Sequence, residues 1–419
     1  MFKASDALSP LFMAKPVAEM WELISPLYIV DESTWLTELL PLARPSAEEN
    51  ALIEKNATTL IERVRADKQA IQMIDALLLE YSLDTKEGIL LMCLAEALMR
   101  VPDSATADAL IRDKLSVADW KSHLKNSDST FVNASTWGLL LTGKVVSMDR
   151  NDTRSPTRTL NRLVNKVSEP IIRQAMNQAM KIMGHQFVLG RNIAEAQKNG
   201  RSSRDNGFTY SYDMLGEAAL TTADASKYYN DYIQAIKAVG ANTYGNDKTP
   251  APTVSIKLSA LHPRYEVANE ARVLSEMHDS VLELLLTARK LNVGITIDAE
   301  EADRLELSLE LFEKLYRNEQ LRGWGQFGLV VQAYSKRALP TLMWITALAK
   351  EQGDLIPVRL VKGAYWDTEL KLSQQKGYEG YPVYTRKEAT DVAYLACARF
   401  LLSEHVRGGI YPQFASHNA

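Results

Sequence analysis

Two patterns of hydrophobic and polar positions divide the chain. From about residue 57 to 190, apolar residues recur every three or four positions, as in TTLIERVRADKQAIQMIDALLLEYSL. That spacing predicts amphipathic helices and almost no strand. Ser82 and Thr85 precede a further helix, EGILLMCLAEALMRV, which Pro102 ends. DALIRDKL, NASTWGLLLTGKVV and EPIIRQAMNQAMKIMGHQFV read the same way. Beyond about residue 191, short β-rich runs alternate with long amphipathic helices. The runs are FTYSYDML (208–215), TVSIKLSAL (253–261), VGITIDAE (293–300), FGLVVQAY (327–334), PVRLVKGAY (357–365) and YPQFASHN (411–418). Helices are predicted near 217–240, 267–290, 302–317, 337–352 and 386–404. No hairpin signal separates the runs, so they read as parallel strands joined by helical crossovers. GLVVQ and SIKLSAL lack a wet face and suit a sheet covered on both sides. Ahead of both regions, residues 1–56 contain Pro10, Pro16, Pro26, Pro41 and Pro45 and read as an extended arm with short helices.

Two parallel architectures compete, an open doubly wound sheet and a closed eight-stranded barrel. Each run places a polar residue near its C-terminal end: Asp213, Lys257, Asp298, Gln332, Arg359 with Lys362, and His417. A doubly wound sheet gathers its site at one switch point, whereas a barrel draws on nearly every strand at one mouth. The fold class expected is therefore α/β, an incomplete (β/α)8 TIM-like barrel with six of eight strands. It is preceded by an all-helical domain and an N-terminal arm. The expected boundaries are 1–56 for the arm, 57–190 for the helical domain and 191–419 for the barrel. Six strands at barrel curvature leave two open edges. The chain thus reads as a fragment truncated within its barrel, with completion by another chain as the other reading.

Composition changes this picture little. Apolar residues make up 46% and the net charge is -4, with no basic patch, so no nucleic-acid partner is expected. The two cysteines, Cys93 and Cys397, lie in apolar helical runs and read as core packing, with no disulfide and no metal site. That usage fits a reducing, cytoplasmic compartment. MFKASDALSPLFMAKP does not read as a signal peptide. Stretches such as GILLMCLAEALM fall short of the roughly 20 residues of a membrane span, so membrane contact is expected to be peripheral.

The candidate chemistry lies at the strand ends. Lys257 sits among apolar residues in SIKLSAL, and a buried ammonium needs a partner. It reads as a carboxylate clamp, a Schiff-base nucleophile or a structural rim residue. Asp298 in GITIDAEEAD is its natural partner, or else a helix cap. Arg359 and Gln332 stand in otherwise apolar strands and offer donors to a small-molecule site. Lys362, Gly363 and Ala364 suit a phosphate and close backbone approach. His417 and Asn418 form another polar pair. His123, His185, His262, His278 and His405 show no metal spacing and read as structural or solvent-facing. Gly323-Trp-Gly325-Gln-Phe-Gly328 has dinucleotide-motif spacing but precedes a strand, the wrong context for a phosphate cradle.

Taken together, SYDMLGEAALT, SIKLSALHPRY, IDAEEADRLE, VVQAYSKR, VRLVKGAYWD, YPVYTRK and FASHNA resemble the proline dehydrogenase domain of the proline utilization A (PutA) family. GILLMCLAEALMRVPD, ALIRDKLS and FVNASTWGLLLTGK extend the resemblance, to roughly residues 55–419. It implies FAD in a distorted barrel, oxidation of L-proline to Δ1-pyrroline-5-carboxylate, and electrons passed to membrane quinone. It implies that Arg359 approaches the flavin N5 region and Gln332 the flavin ring. Val361, Lys362, Gly363, Ala364 and Trp366 would hold the middle of the cofactor, and Thr385, His417 and Asn418 its outer portion. Lys257, supported by Asp298, would bind the proline carboxylate, with Tyr365 and Ala364 on the proline ring. Arg359, Lys257, Asp298 and Tyr365 form the implied catalytic set. Glu217 is implied as a gate residue, paired with an arginine of a helix that this sequence lacks. Also missing are the family's last two strands, a tyrosine of the eighth strand, the aldehyde dehydrogenase module and the ribbon-helix-helix segment of some members. DNA binding is therefore not expected. Localisation is expected to be cytoplasmic, with peripheral contact at the inner membrane, and oligomerisation is left open. The alternatives are a Schiff-base aldolase or lyase using Lys257, and an inactive fragment or interaction module.

Overall fold

The structure is a computed structural model that describes residues 2–66, 188–241 and 249–416, with Asp103, Thr106 and Leu110 besides. Most of the expected all-helical region, and Cys93, lie outside the described residues. The chain divides into two compact units, residues 1–53 with 192–418, and residues 54–191.

The first unit opens with α1 (Pro10–Met13), α2 (Val17–Trp21) and α3 (Glu32–Ala43). The longer α4 (Ala47–Ala66) runs across the boundary between the two units. Residues 2–43 carry the short helices expected of the arm, but they are packed down rather than extended. Met13, Val17, Met20, Ile24, Leu27, Trp35 and Leu39 are all buried. Prolines keep the helices short, but each carries apolar side chains whose burial is worth about 1.5–3 kcal/mol apiece. The segment therefore folds down as a row of short helices.

Two short helices, α5 (Ile193–Asn199) and α6 (Arg201–Asp205), lead into the sheet. Its strands are β1 (Ser211–Asp213), β2 (Thr253–Ile256), β3 (Ile295–Ile297), β4 (Phe327–Gln332), β5 (Ile356–Val361) and β6 (Ile410–Phe414). All neighbours are parallel and the spatial order is sequential from β1 to β6. Sequential order without reversal is that of a barrel wall, because a doubly wound sheet reverses at its switch point. The sheet also curls. Arg359 on β5 donates to Ser211 on β1 at 2.8 Å. A flat sheet would separate strands four places apart by about 19 Å, beyond the reach of one side chain.

The crossovers are α7 (Thr222–Gly240), α8 (Glu270–Lys290), α9 (Leu305–Tyr316), α10 (Ala338–Gln352), α11 (Trp366–Lys376) and α12 (Lys387–Leu401). α7 starts at a reciprocal cap, in which the Thr221 hydroxyl accepts from the Asp224 N–H and Asp224 accepts from the Thr221 N–H. α10 is buried on every side from Ala338 to Ala349, since β4 lies on one side and α2 and α12 on others. Its sequence ALPTLMWITALA has no charge to place in water. α12 packs against α3. α11 was not expected from the sequence. Its buried residues are Glu369 and Ser373, so an apolar period does not mark its inner face.

Alternation along β5 separates its faces. Ile356, Val358 and Leu360 are fully buried, whereas Pro357, Arg359 and Val361 are half-buried on the concave side. By register Ser211, Asp213, Ser255, Thr296, Gly328, Val330 and Gln332 share that concave side. A Cβ on Gly328 would lie 2.2 Å from the Pro357 carbonyl oxygen. That glycine serves strand packing, in keeping with the rejection of the Gly323–Gly328 segment as a phosphate motif.

Candidate active site

Strand ends place a charged cluster on the concave wall. Lys257, just past β2, donates to Asp213 of β1 at 2.9 Å and to Asp298, just past β3, at 3.0 Å. Arg359 reaches the other oxygen of Asp298 at 3.5 Å and donates to Ser255 at 3.2 Å. Ser255 and Ser211 share a hydrogen bond of 3.0 Å. One lysine and one arginine thus face two carboxylates, with the two hydroxyls holding the guanidinium. Burial pulls the Lys257 ammonium towards losing its proton, but Asp298 and Asp213 outweigh that, and its pKa moves upward. Burial raises the pKa of Asp298 while Lys257 opposes the rise. For this coupled pair the direction that governs is that of Lys257, a fixed cation bonded to two acids.

A ring of hydrogen bonds encloses the rim above this cluster. The Ala218 N–H donates to the Ser259 hydroxyl at 2.9 Å, and the Ser259 N–H to Glu300 at 3.0 Å. The Gln332 amide donates to the Glu300 carbonyl at 2.8 Å and accepts from the Ala364 N–H at 3.0 Å. The Tyr365 hydroxyl donates to Glu217 at 2.9 Å and closes the ring back to the loop after β1. Burial first, then Glu217, raise the Tyr365 pKa, so it remains a phenol. In the described residues Glu217 is thus paired with Tyr365, where the sequence reading had an arginine. Gly363 has a φ of 153°, and a Cβ there would lie 2.3 Å from the Tyr334 ring. Only glycine lets the turn after β5 pass so close.

The remaining candidates stand further along the rim. Lys362 is bonded to Asp391 of α12 at 2.5 Å, and Lys387 holds the other oxygen at 2.7 Å. The Trp366 indole donates to the Tyr384 carbonyl at 2.8 Å. The neighbouring Thr385 N–H donates to Glu32 of α3 at 3.0 Å. Val361 is half-buried on the concave face. His417 and Asn418 lie outside the described residues.

The structure therefore brings Lys257, Asp298 and Arg359 into one cluster and joins Gln332, Ala364, Tyr365 and Glu217 in one ring. Lys362, Trp366 and Thr385 keep separate partners. Sequence reasoning left out Ser211, Ser255, Glu300 and Asp391, and it noted Asp213 without assigning it. The signal for two of these was period two: Ser211 and Ser255 stand two positions before Asp213 and Lys257, on the same face.

The family model described as "Proline dehydrogenase" matches residues 196–419, which takes in all six strands. Another, described as "DNA-binding domain of Proline dehydrogenase", matches residues 73–187. That match runs against the expectation of no DNA contact, which rested on charge balance and on the N-terminal residues alone. Almost all of the segment lies outside the described residues. The bifunctional protein PutA of Klebsiella aerogenes is 52% identical over 392 residues, 93% of this chain and 29% of the relative. That of Rhizobium meliloti is 46% identical over 405 residues, 97% of this chain and 32% of the relative. A crystal structure of a Bradyrhizobium japonicum PutA mutant matches with a TM-score of 0.65 at 41% identity, over 93% of this chain and 39% of that one. The chain spans less than a third of the length of these curated relatives. A family match across the whole sheet, with such relatives, establishes that the chain belongs to the proline dehydrogenase family.

Proposed function

We propose that this chain supplies the proline-oxidising part of a flavin-dependent dehydrogenase. L-proline is oxidised to Δ1-pyrroline-5-carboxylate with FAD as cofactor and a membrane quinone as the final acceptor. This is the first step of proline degradation to glutamate. The observation that carries the reading is the concave cluster of Lys257, Asp298 and Arg359 in a chain of this family.

The residues present fit a flavin by the chemistry of their donors. Arg359 and the Gln332 amide offer hydrogen bonds on the concave wall, and Lys362 offers a cation to a phosphate. The Gly363 turn, which a Cβ would block, brings backbone close to the same rim. Arg359 and Gln332 would hold the ring, Val361, Lys362, Gly363, Ala364 and Trp366 the middle, and Thr385, His417 and Asn418 the outer portion. When bound, FAD supplies the acceptor for the hydride that proline C5 gives up. Lys257 would bind the substrate carboxylate, with Asp298 keeping the ammonium in place. Tyr365 and Ala364 would pack on the proline ring, and Glu217 would control entry through its bond to Tyr365. Arg359 would stabilise negative charge on the reduced ring.

A Schiff-base enzyme would need Lys257 as a neutral amine. Two ion pairs hold it cationic, so that reading is disfavoured.

The test is direct. The protein carrying this chain, loaded with FAD, is given L-proline and an artificial electron-accepting dye. Saturable, proline-dependent dye reduction is expected. A flavin-loaded protein that reduces no dye with proline overturns the reading. Substrate-dependent inactivation by borohydride at Lys257 would favour the aldolase instead.

A further inference from the structure

Two buried ionisable side chains, on the segments after β4 and β5, are not used by the proposed site. Arg337 follows β4 and is 2% exposed, and Glu369 on α11 is 4% exposed. Charged side chains are seldom buried this far without partners. Here both grip the two polar ends of one residue. Glu369 accepts from the Ala302 N–H at 2.6 Å, and Arg337 donates to the Ala302 carbonyl. The other arm of Arg337 bonds Glu306 of α9 at 2.7 Å, and its guanidinium lies 4.6 Å over the Tyr28 ring. Ser25 donates to the second oxygen of Glu306 at 2.7 Å, so the N-terminal segment covers the pair.

Position in the chain gives this arrangement its consequence. Ala302 follows the loop that begins at Asp298 and opens the 3-10 turn Ala302–Arg304. Arg337 comes five residues after Gln332, and Glu369 four after Tyr365. Three rim segments, each holding one member of the site, thus converge on a single residue. Asp298 is in turn one of the two acids that orient Lys257.

We propose that Arg337 and Glu369 clamp Ala302 and thereby position Asp298, and through it Lys257, for substrate binding. The inference rests on the proline dehydrogenase reading. Neither residue touches reacting atoms, so both are positioning residues. Their side chains replace water on the backbone of Ala302, and a loop so held on both sides has little freedom to shift its carboxylate.

The flavin-loaded protein carrying this chain would be compared with its Glu369→Leu, Glu369→Gln and Arg337→Lys variants, below the lowest melting temperature. Glu369→Leu keeps the bulk but offers no acceptor. It is expected to raise KM for proline about tenfold while kcat changes less than about threefold, as for lost ground-state binding. Glu369→Gln retains an acceptor oxygen and should restore KM to within about twofold. Amide exchange of segment 298–304 in the flavin-free protein should quicken in Glu369→Leu and stay slow in Glu369→Gln. A Glu369→Leu protein with lowered melting temperature but wild-type KM and wild-type exchange would show a purely structural pair and overturn the proposal. So would a Gln variant no better than Leu. If the Leu variant does not fold, Arg337→Lys decides. Its shorter donor set should raise KM and quicken the same exchange, and wild-type values of both would overturn the clamp. A wild-type protein that oxidises no proline defeats the functional reading, while the exchange measurements still judge the clamp.

Discussion

Helix α10 begins at Ala338, only six residues after β4 ends at Gln332 on the concave wall, yet helix and wall are built on opposite rules. Along α10 every side chain from Ala338 to Ala349 is buried, and the few polar ones are threonines bonded back to their own helix, as with Thr341 and Thr346. On the concave wall two cations and two acids stand half-open, tied by ion pairs of 2.9–3.5 Å. The helix holds the unit together by packing, whereas the wall holds paired charges where the proposed substrate would bind. Stability and chemistry are thus segregated onto the two sides of one strand layer.

Three changes would break or sharpen that contrast. The largest effect is expected from Trp344→Ala. Trp344 is fully buried and meets Trp21 edge-on at 5.3 Å. Its truncation should cost about 3–5 kcal/mol in denaturant melts. Below the new melting temperature, proline kcat/KM should be nearly unchanged. A matching collapse of turnover would mean that the two sides are not separable. Next comes Lys257→Met, which should lower proline kcat/KM about a hundredfold, near 2.7 kcal/mol, with a smaller effect on melting. Unchanged steady-state kinetics would strip the concave cluster of its proposed role.

The smallest effect concerns the clamp between these regions. Burial pushes the Glu369 carboxyl from 4.5 up to about 7, against the pull of the Ala302 N–H. Asp303 and Glu301 add to the rise and Arg337 opposes it, while Tyr28 and Tyr334 also lie within electrostatic range. The folded protein therefore holds this proton more tightly than the unfolded chain does. Its stabilising contribution is complete below the unfolded value and is lost as pH rises through about 7. Between pH 5 and 8 the loss should be about 2 kcal/mol, and Glu369→Gln should flatten that slope in calorimetric melts. An identical slope in the variant would mean that another group titrates.

Much of the barrel side was legible because apolar period and strand length report burial directly. All six strands fall within or beside the six runs expected as strands. The Lys257–Asp298 pairing was legible too, since an ammonium amid SIKLSAL demands a carboxylate nearby. α11 was not, because Glu369 and Ser373 occupy the face that an apolar stripe would normally fill. The N-terminal segment read as extended because its prolines are local signals, while the surface it covers comes from residues some three hundred positions away, as in the bond from Lys336 to the Val30 carbonyl.

The sequence by itself determined the strands, their parallel sense and the cation at the end of β2, since each follows from local spacing and the cost of burying charge. Tertiary structure alone decided that Asp213 joins Asp298 on Lys257, that Arg359 reaches β1, and that Glu217 meets Tyr365. Those contacts depend on how far the sheet curls. Curvature is a property of many strand pairs acting together, and no single stretch of sequence records it.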